Sequence, residues 1–205
     1  MIICKLGSLI LMLCSCIPLI AQSSNAADHL REFRDPSTGV KYRYPEGWRQ
    51  LSGNQLDLHL AFVPDQTKIR SGVLWTPSGT LKSTNLTGAE FVFALQRRIS
   101  ARDCMHPVAA YVSGPHVDSV TLNDIQFAHN WAGAGGLCHY TKEDIYATYQ
   151  NHACYLFDFS VDSICSGAVD GMREATKEEL ADVNAQLMSI LANVRIDKRA
   201  RIATH

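Results

Sequence analysis

Val40, Tyr42 and Tyr44 alternate with Lys41 and Arg43, the period of a half-buried strand. Leu58, Leu60 and Phe62 repeat that pattern against Asp57, His59 and Ala61, and Gly72 to Trp75 predicts a further short strand that stops at Pro77. Before them, Phe33 to Val40 holds turn chemistry: Pro36 presets φ, Asp35 caps through its side chain and Gly39 permits positive φ. Val117–Leu122 and Ile125–Trp131 predict strands joined at Asn123-Asp124, and Ala132 to Gly136 reads as a flexible connection or turn. The clearest hairpin is Asp144–Gln150 with Ala153–Val161, turning at Asn151-His152. There Tyr155, Phe157, Phe159 and Val161 share one face.

Two helices are predicted. Thr87 and Glu90 have capping-box spacing, with Phe91, Val92, Leu95 and Ile99 following at helical intervals to an end near Asp103. Thr176 and Glu179 repeat the start signal ahead of Leu180, Val183, Leu187, Ile190, Leu191 and Val194. Burial of each large apolar side chain is worth about 1.5–3 kcal/mol, so this second helix belongs on a sheet. Asn193 to Ile196 closes as a last strand. The order of strands, helix, strands, helix and final strand predicts an α+β domain whose mainly antiparallel sheet is covered by two principal helices.

The first 26 residues change the picture from fold to address. Lys5 precedes an apolar run from Leu6 to Ile20, too short to span a bilayer but right for a signal-peptide core, and Ser24-Asn25-Ala26 supplies a cleavage site. Residues 1–26 therefore read as a signal peptide, with Ala21 as an alternative cleavage point, leaving one domain at 27–197 and a basic tail at 198–205. Leu13-Cys14-Ser15-Cys16 approaches a lipobox, making Cys16 a possible lipidation site, although Ile17 to Ile20 is a poor polar tether. With 19 basic and 20 acidic residues the chain has no basic field for nucleic acid. Membrane contact is expected only through the leader or a lipid on Cys16.

Four cysteines remain in the mature chain, an even count that reads as two disulfides in an oxidising compartment. Four cysteines allow three connectivities. Pairing Gln150 with Ala153 and counting outward brings Cys138 opposite Cys165, which leaves Cys104 for Cys154.

The chain resembles the PsbP-like superfamily, which includes a Ran-binding import factor. The resemblance rests on the hairpin Phe33 to Tyr44, the motif Tyr44-Pro45-Glu46-Gly47-Trp48 and the capped mid-chain helix. Tyr146-Ala147-Thr148-Tyr149 to Phe159, the closing helix and Val194-Arg195-Ile196 complete it. It implies an α/β/α sandwich and an accessory or binding role, with no shared catalytic residues. Pro45 and Gly47 form a corner that turns Trp48 inward, so the motif is itself a packing device.

Candidate chemistry is sparse. His139 and His152 lie near Cys138 and Cys154, but one sits at the base of the hairpin and the other at its tip. Twelve strand residues at about 3.3 Å each separate them by ~40 Å, too far to share a metal ion. Cys104-Met105-His106 sets a thiol near an imidazole, while no Gly-x-Ser-x-Gly elbow is present. Asp158 and Asp162 share a strand face and read most simply as solvated charges. Trp131, Tyr140, Tyr146, Tyr149 and Tyr155 cluster in the strand-rich half, where tyrosine suits either core packing or a binding groove. The reading is an exported, non-enzymatic binding or accessory module of the periplasm or cell envelope, without a cofactor and with an unidentified protein or small-molecule partner. A small thiol or serine hydrolase and a His/Cys metal-binding module are the alternatives.

Overall fold

Burial on both faces marks the centre of the sheet, and two strands have it over most of their length. In the computed structural model, which describes residues 29–56, 67–106 and 118–197, these are β5 (Leu86–Arg97) and β9 (Ala153–Ile164). They lie side by side, antiparallel, in a seven-stranded sheet of order β3-β4-β5-β9-β8-β7-β6. The other members are β3 (Arg49–Ser52), β4 (Thr67–Trp75), β6 (Asp118–Leu122), β7 (Ile125–Gly136) and β8 (His139–Gln150). A second, three-stranded sheet contains β1 (Leu30–Asp35), β2 (Val40–Pro45) and β10 (Arg195–Ile196), with β2 in the middle.

Two helices, α1 (Ala101–Cys104) and α2 (Lys177–Ala192), flank the large sheet. Strand alternation places them on opposite faces. Tyr155 and Phe157 join Phe91, Phe93 and the α2 residues Val183, Leu187, Ile190 and Leu191 in the main core. Cys154 and Leu156 point the other way and pack with Cys104 of α1, Ala94, Ile145 and Ala147. The fold is α+β, with an antiparallel sheet between helices.

The α2 start is fixed by Thr176, whose hydroxyl accepts from the Glu179 N–H at 3.2 Å, while Glu179 accepts from the Thr176 N–H at 2.8 Å. Arg173 adds two bonds to the same carboxylate, at 2.8 and 2.6 Å, and these hold its pKa down to about 2. Pro45 and Gly47 turn the chain so that Trp48 is buried, with its Nε1 donating to Gln186 Oε1 of α2 at 3.2 Å. Tyr44 is also buried, its hydroxyl donating to Gln50.

The first helix expected from the sequence is a strand. Thr87 and Glu90 cap nothing: both lie in β5, where Glu90 pairs with Leu74 on one side and Ser160 on the other. Ala89, Phe91, Phe93 and Leu95 serve the main core and Val92 and Ala94 the opposite face, so the run from Phe91 to Leu95 is apolar throughout. Such a run satisfies helical spacing by accident. The helical turn that does form is α1, capped by Ser100, whose hydroxyl accepts from the Asp103 N–H.

The glycine-rich segment is likewise no loop. Ala132 to Gly136 belongs to β7 and pairs with β8, and the chain turns instead at Leu137-Cys138, both at positive φ. The signal peptide 1–26, Cys16, the strand expected at Leu58 to Phe62 and the tail 198–205 lie outside the described residues.

Candidate functional site

Counting back from the Leu137-Cys138 turn, β7 sets His129 opposite Tyr146, Trp131 opposite Asp144, Gly133 opposite Lys142 and Gly135 opposite Tyr140. These residues share the sheet face that carries α2, since the Tyr146 hydroxyl donates to Met188 Sδ on that helix at 3.4 Å. Toward the turn the face is open. Trp131 is 47% exposed and Tyr140 51%, whereas Trp48 and Trp75 are buried in the core.

Glycine shapes the floor of this open strip. A Cβ at Gly133 would stand 2.5 Å from the Tyr140 hydroxyl, and one at Gly135 would stand 3.0 Å from Tyr140 Cδ2. The tyrosine ring therefore lies along β7 over two residues without side chains, leaving its outer side to solvent. Beside it stands Trp131, two residues before Gly133 on the same face.

A charged row borders the aromatic pair. His129 Nδ1 bonds to Asp118 Oδ1 at 2.7 Å, and its Nε2 bonds to Asp144 Oδ1 at 2.9 Å. Lys142 Nζ meets the other Asp144 oxygen at 2.9 Å. The imidazole stacks on Tyr146 with centroids 4.5 Å apart. Its bond to Asp144 raises the His129 pKa, burial opposes this, and Asp118 adds to the rise. Burial pushes the Asp144 carboxyl up, but the bonds from His129 and Lys142 outweigh it and hold the group below its usual range. With a carboxylate on each nitrogen, the protonated ring donates twice. Both ring nitrogens are engaged by carboxylates, an arrangement that favours the protonated ring.

Other candidates fall apart in space. His139 begins β8 and His152 lies in the turn beyond its far end, a strand length apart. Among the described residues two disulfides are present, Cys104–Cys154 and Cys138–Cys165, with Cα separations of 5.5 and 4.9 Å. Cys104 is thus bonded to sulfur, and the imidazole of His106 bonds to the Arg102 carbonyl at 2.7 Å. Among the described residues no group of three or more His, Cys, Asp or Glu side chains is placed to hold a metal.

Asp158 corrects the expectation of solvated carboxylates. It is buried, and its Oδ1 has no hydrogen-bond partner among the described residues. Burial drives its pKa well above the usual range, with Glu143, Glu90 and Asp144 adding repulsion. Asp162, by contrast, accepts from the Thr141 hydroxyl at 2.5 Å.

His129, Asp118 and Lys142 carry no motif in the sequence. Their signal is positional: the Asn123-Asp124 turn sets Asp118 opposite His129, and the turn at Leu137-Cys138, directly after the glycines, sets β8 against β7.

Fold and site together define an α+β protein with an open polar and aromatic strip on an antiparallel sheet. No family model matches the chain, and no curated protein does. Among solved structures it is similar to a protein of Bacteroides thetaiotaomicron, at 11% identity over 82% of this chain and 49% of that one, TM-score 0.43. The chain thus spans about half the length of that structure. It is also similar to LpqN of Mycobacterium tuberculosis, involved in cell envelope biogenesis, at 12% identity over 82% and 92% of the two chains, TM-score 0.48. Cyanobacterial PsbP from Synechocystis matches at 10% identity over 88% and 99%, TM-score 0.44.

Proposed function

We propose that this chain is an exported, non-enzymatic binding or accessory module of the PsbP-like kind, and that it meets its partner through the strip formed by Trp131, Tyr140 and Lys142. One observation carries the reading. Trp131 and Tyr140 are both exposed on a sheet face where aromatic residues such as Tyr146, Phe157 and Phe159 are buried. Exposed tryptophan and tyrosine supply large, rigid contact area with a polar edge, the side chains that dominate binding energy where they meet a partner.

Export is supported by the leader-like residues 1–26 and by the two disulfides, which persist in oxidising compartments. Residues 27–197 then constitute the working domain, either free in the periplasm or cell envelope or tethered by a lipid on Cys16. The partner is a protein or a small molecule with an apolar face and a polar rim.

Site-specific photo-crosslinking in the producing cells tests this. A benzophenone side chain at position 140 should yield a discrete adduct that a Trp131→Ala change weakens, while the same probe at exposed Lys82 yields none. Equal adducts at both positions, or none at position 140, would count against the strip.

A further inference from the structure

Three cations stand in line across the small sheet. Arg34 of β1 pairs directly with Lys41 of β2, and Lys41 pairs directly with Arg195 of β10. Directly opposed residues on neighbouring strands project to the same side, so the three side chains share the outer face, joined by Arg43 two residues along β2. Like charges placed directly opposite each other destabilise a sheet. The chain as a whole is close to neutral, at −1, so this concentration of positive charge is local.

Compensation is incomplete. Glu32 bonds to Arg34 and lies 3.7 Å from Arg43. Its bond to Arg34 lowers its pKa against a small burial effect, with the charges of Arg34, Arg43 and Lys41 adding to the fall. Arg195 turns part of its guanidinium to the Ala192 and Val194 carbonyls at the end of α2. Even with exposed Asp197 counted at the rim, four cations face two carboxylates. Beside them lies a cavity of about 190 Å³ lined by Glu32, Lys41, Arg43, Asn193 and Arg195.

We propose that this outer face is an oxyanion site, in which Lys41, Arg43 and Arg195 receive a phosphate group. Guanidinium and ammonium groups converging on a small polar hollow match the charge and donor demand of phosphate, and an anion seated there relieves the repulsion that the bare strands carry. The phosphate belongs to a soluble phosphorylated molecule or to a lipid headgroup. The site lies on the small sheet, separate from the aromatic strip on β7 and β8.

The test is titration of inorganic phosphate into the protein as exported, at low salt, with chloride at matched ionic strength as reference. Phosphate should bind and raise the unfolding midpoint beyond chloride, and Lys41→Gln should weaken phosphate binding by about tenfold. The exposed Lys41→Gln variant should also unfold at a higher temperature than wild type in phosphate-free buffer, because it removes the central like charge. A second arm uses phosphatidylglycerol and phosphatidylcholine vesicles. Binding to the anionic vesicles that phosphate displaces and Lys41→Gln abolishes assigns the headgroup, and phosphate binding without vesicle binding assigns a soluble ligand. No phosphate effect beyond chloride, phosphate binding unchanged in Lys41→Gln, or a less stable phosphate-free variant would each overturn the proposal.

Discussion

Tyr140 lies across Gly133, its hydroxyl 2.5 Å from where a Cβ on that glycine would stand. Gly133→Ala should therefore displace an exposed, movable ring and leave the backbone pairing of β7 with β8 in place. Alanine regains about 0.5–1 kcal/mol of strand stability over glycine, which offsets the cost of moving the ring. The net change in denaturation midpoint should correspond to less than about 0.5 kcal/mol, while crosslinking through position 140 falls sharply. Urea unfolding and the crosslinking assay read the two effects separately. A large loss of stability would mean that Tyr140 is a structural element instead of a contact surface.

His129 links edge strand β6 to β8 through two carboxylates, and its protonated form is the one that the fold favours. A histidine with a raised folded pKa stabilises fully below its unfolded value of about 6.5, and that contribution is lost as pH climbs through the folded value. Unfolding free energy should thus decline as pH rises above about 6.5, and His129→Gln should flatten that part of the profile. Asp144 acts in the opposite direction and lower down. Its depressed pKa gives stability that is present above about pH 4 and lost as pH falls further. Guanidinium melts from pH 3 to 9 on both proteins separate the two windows, and an unchanged slope above pH 6.5 in the variant would remove His129 from the account.

Period-two alternation made β2, β6 and the start of β7 legible, and the capping box made the second helix legible, because each has one wet side. The central strand β5 hid for the opposite reason. Buried on both faces, it loses its alternation, and the Thr87 and Glu90 spacing then imitated a helix start. The aromatic and β-branched run Phe91-Val92-Phe93 was the better guide. The glycines of β7 misled similarly, since glycine marks turns but here makes room for Tyr140. That single misplaced turn concealed the whole strip, because the meeting of His129, Trp131 and Asp144 depends entirely on register. At the next hairpin, where the structure pairs Gln150 with Ala153 and His139 with Ile164, the same counting places Cys138 beside Cys165.

The two disulfides should differ in reach and in access. Cys104 and Cys154 are buried, whereas Cys138 and Cys165 are exposed near the turn. Mild thiol reductant under native conditions, followed by alkylation and peptide mass mapping, should label Cys138 and Cys165 first. Sequence separations of 50 and 27 residues imply about 4 kcal/mol of chain-entropy stabilisation for the buried bridge and about 3.5 kcal/mol for the exposed one. Replacing Cys104 and Cys154 by alanine should accordingly cost more than replacing Cys138 and Cys165. Earlier labelling of Cys104 would show that the α1 side opens more readily than its packing suggests.

Asp158 is a buried carboxyl whose pKa the fold pushes well above the usual carboxylate range, burial being the main cause. Its raised pKa means that the native state keeps a proton which the unfolded chain releases above about pH 4, so its ionisation draws stability away as pH rises toward the folded value. Asp158→Asn keeps the shape of the side chain and removes the charge. The variant should match wild type near pH 4 and exceed it by a margin that widens as pH rises to 7. Urea denaturation at pH 4, 5.5 and 7 measures the widening difference. A variant weaker than wild type at pH 7 would mean that Asp158 is charged in the folded protein and held by a partner, which would make this buried acid a second place to look for function.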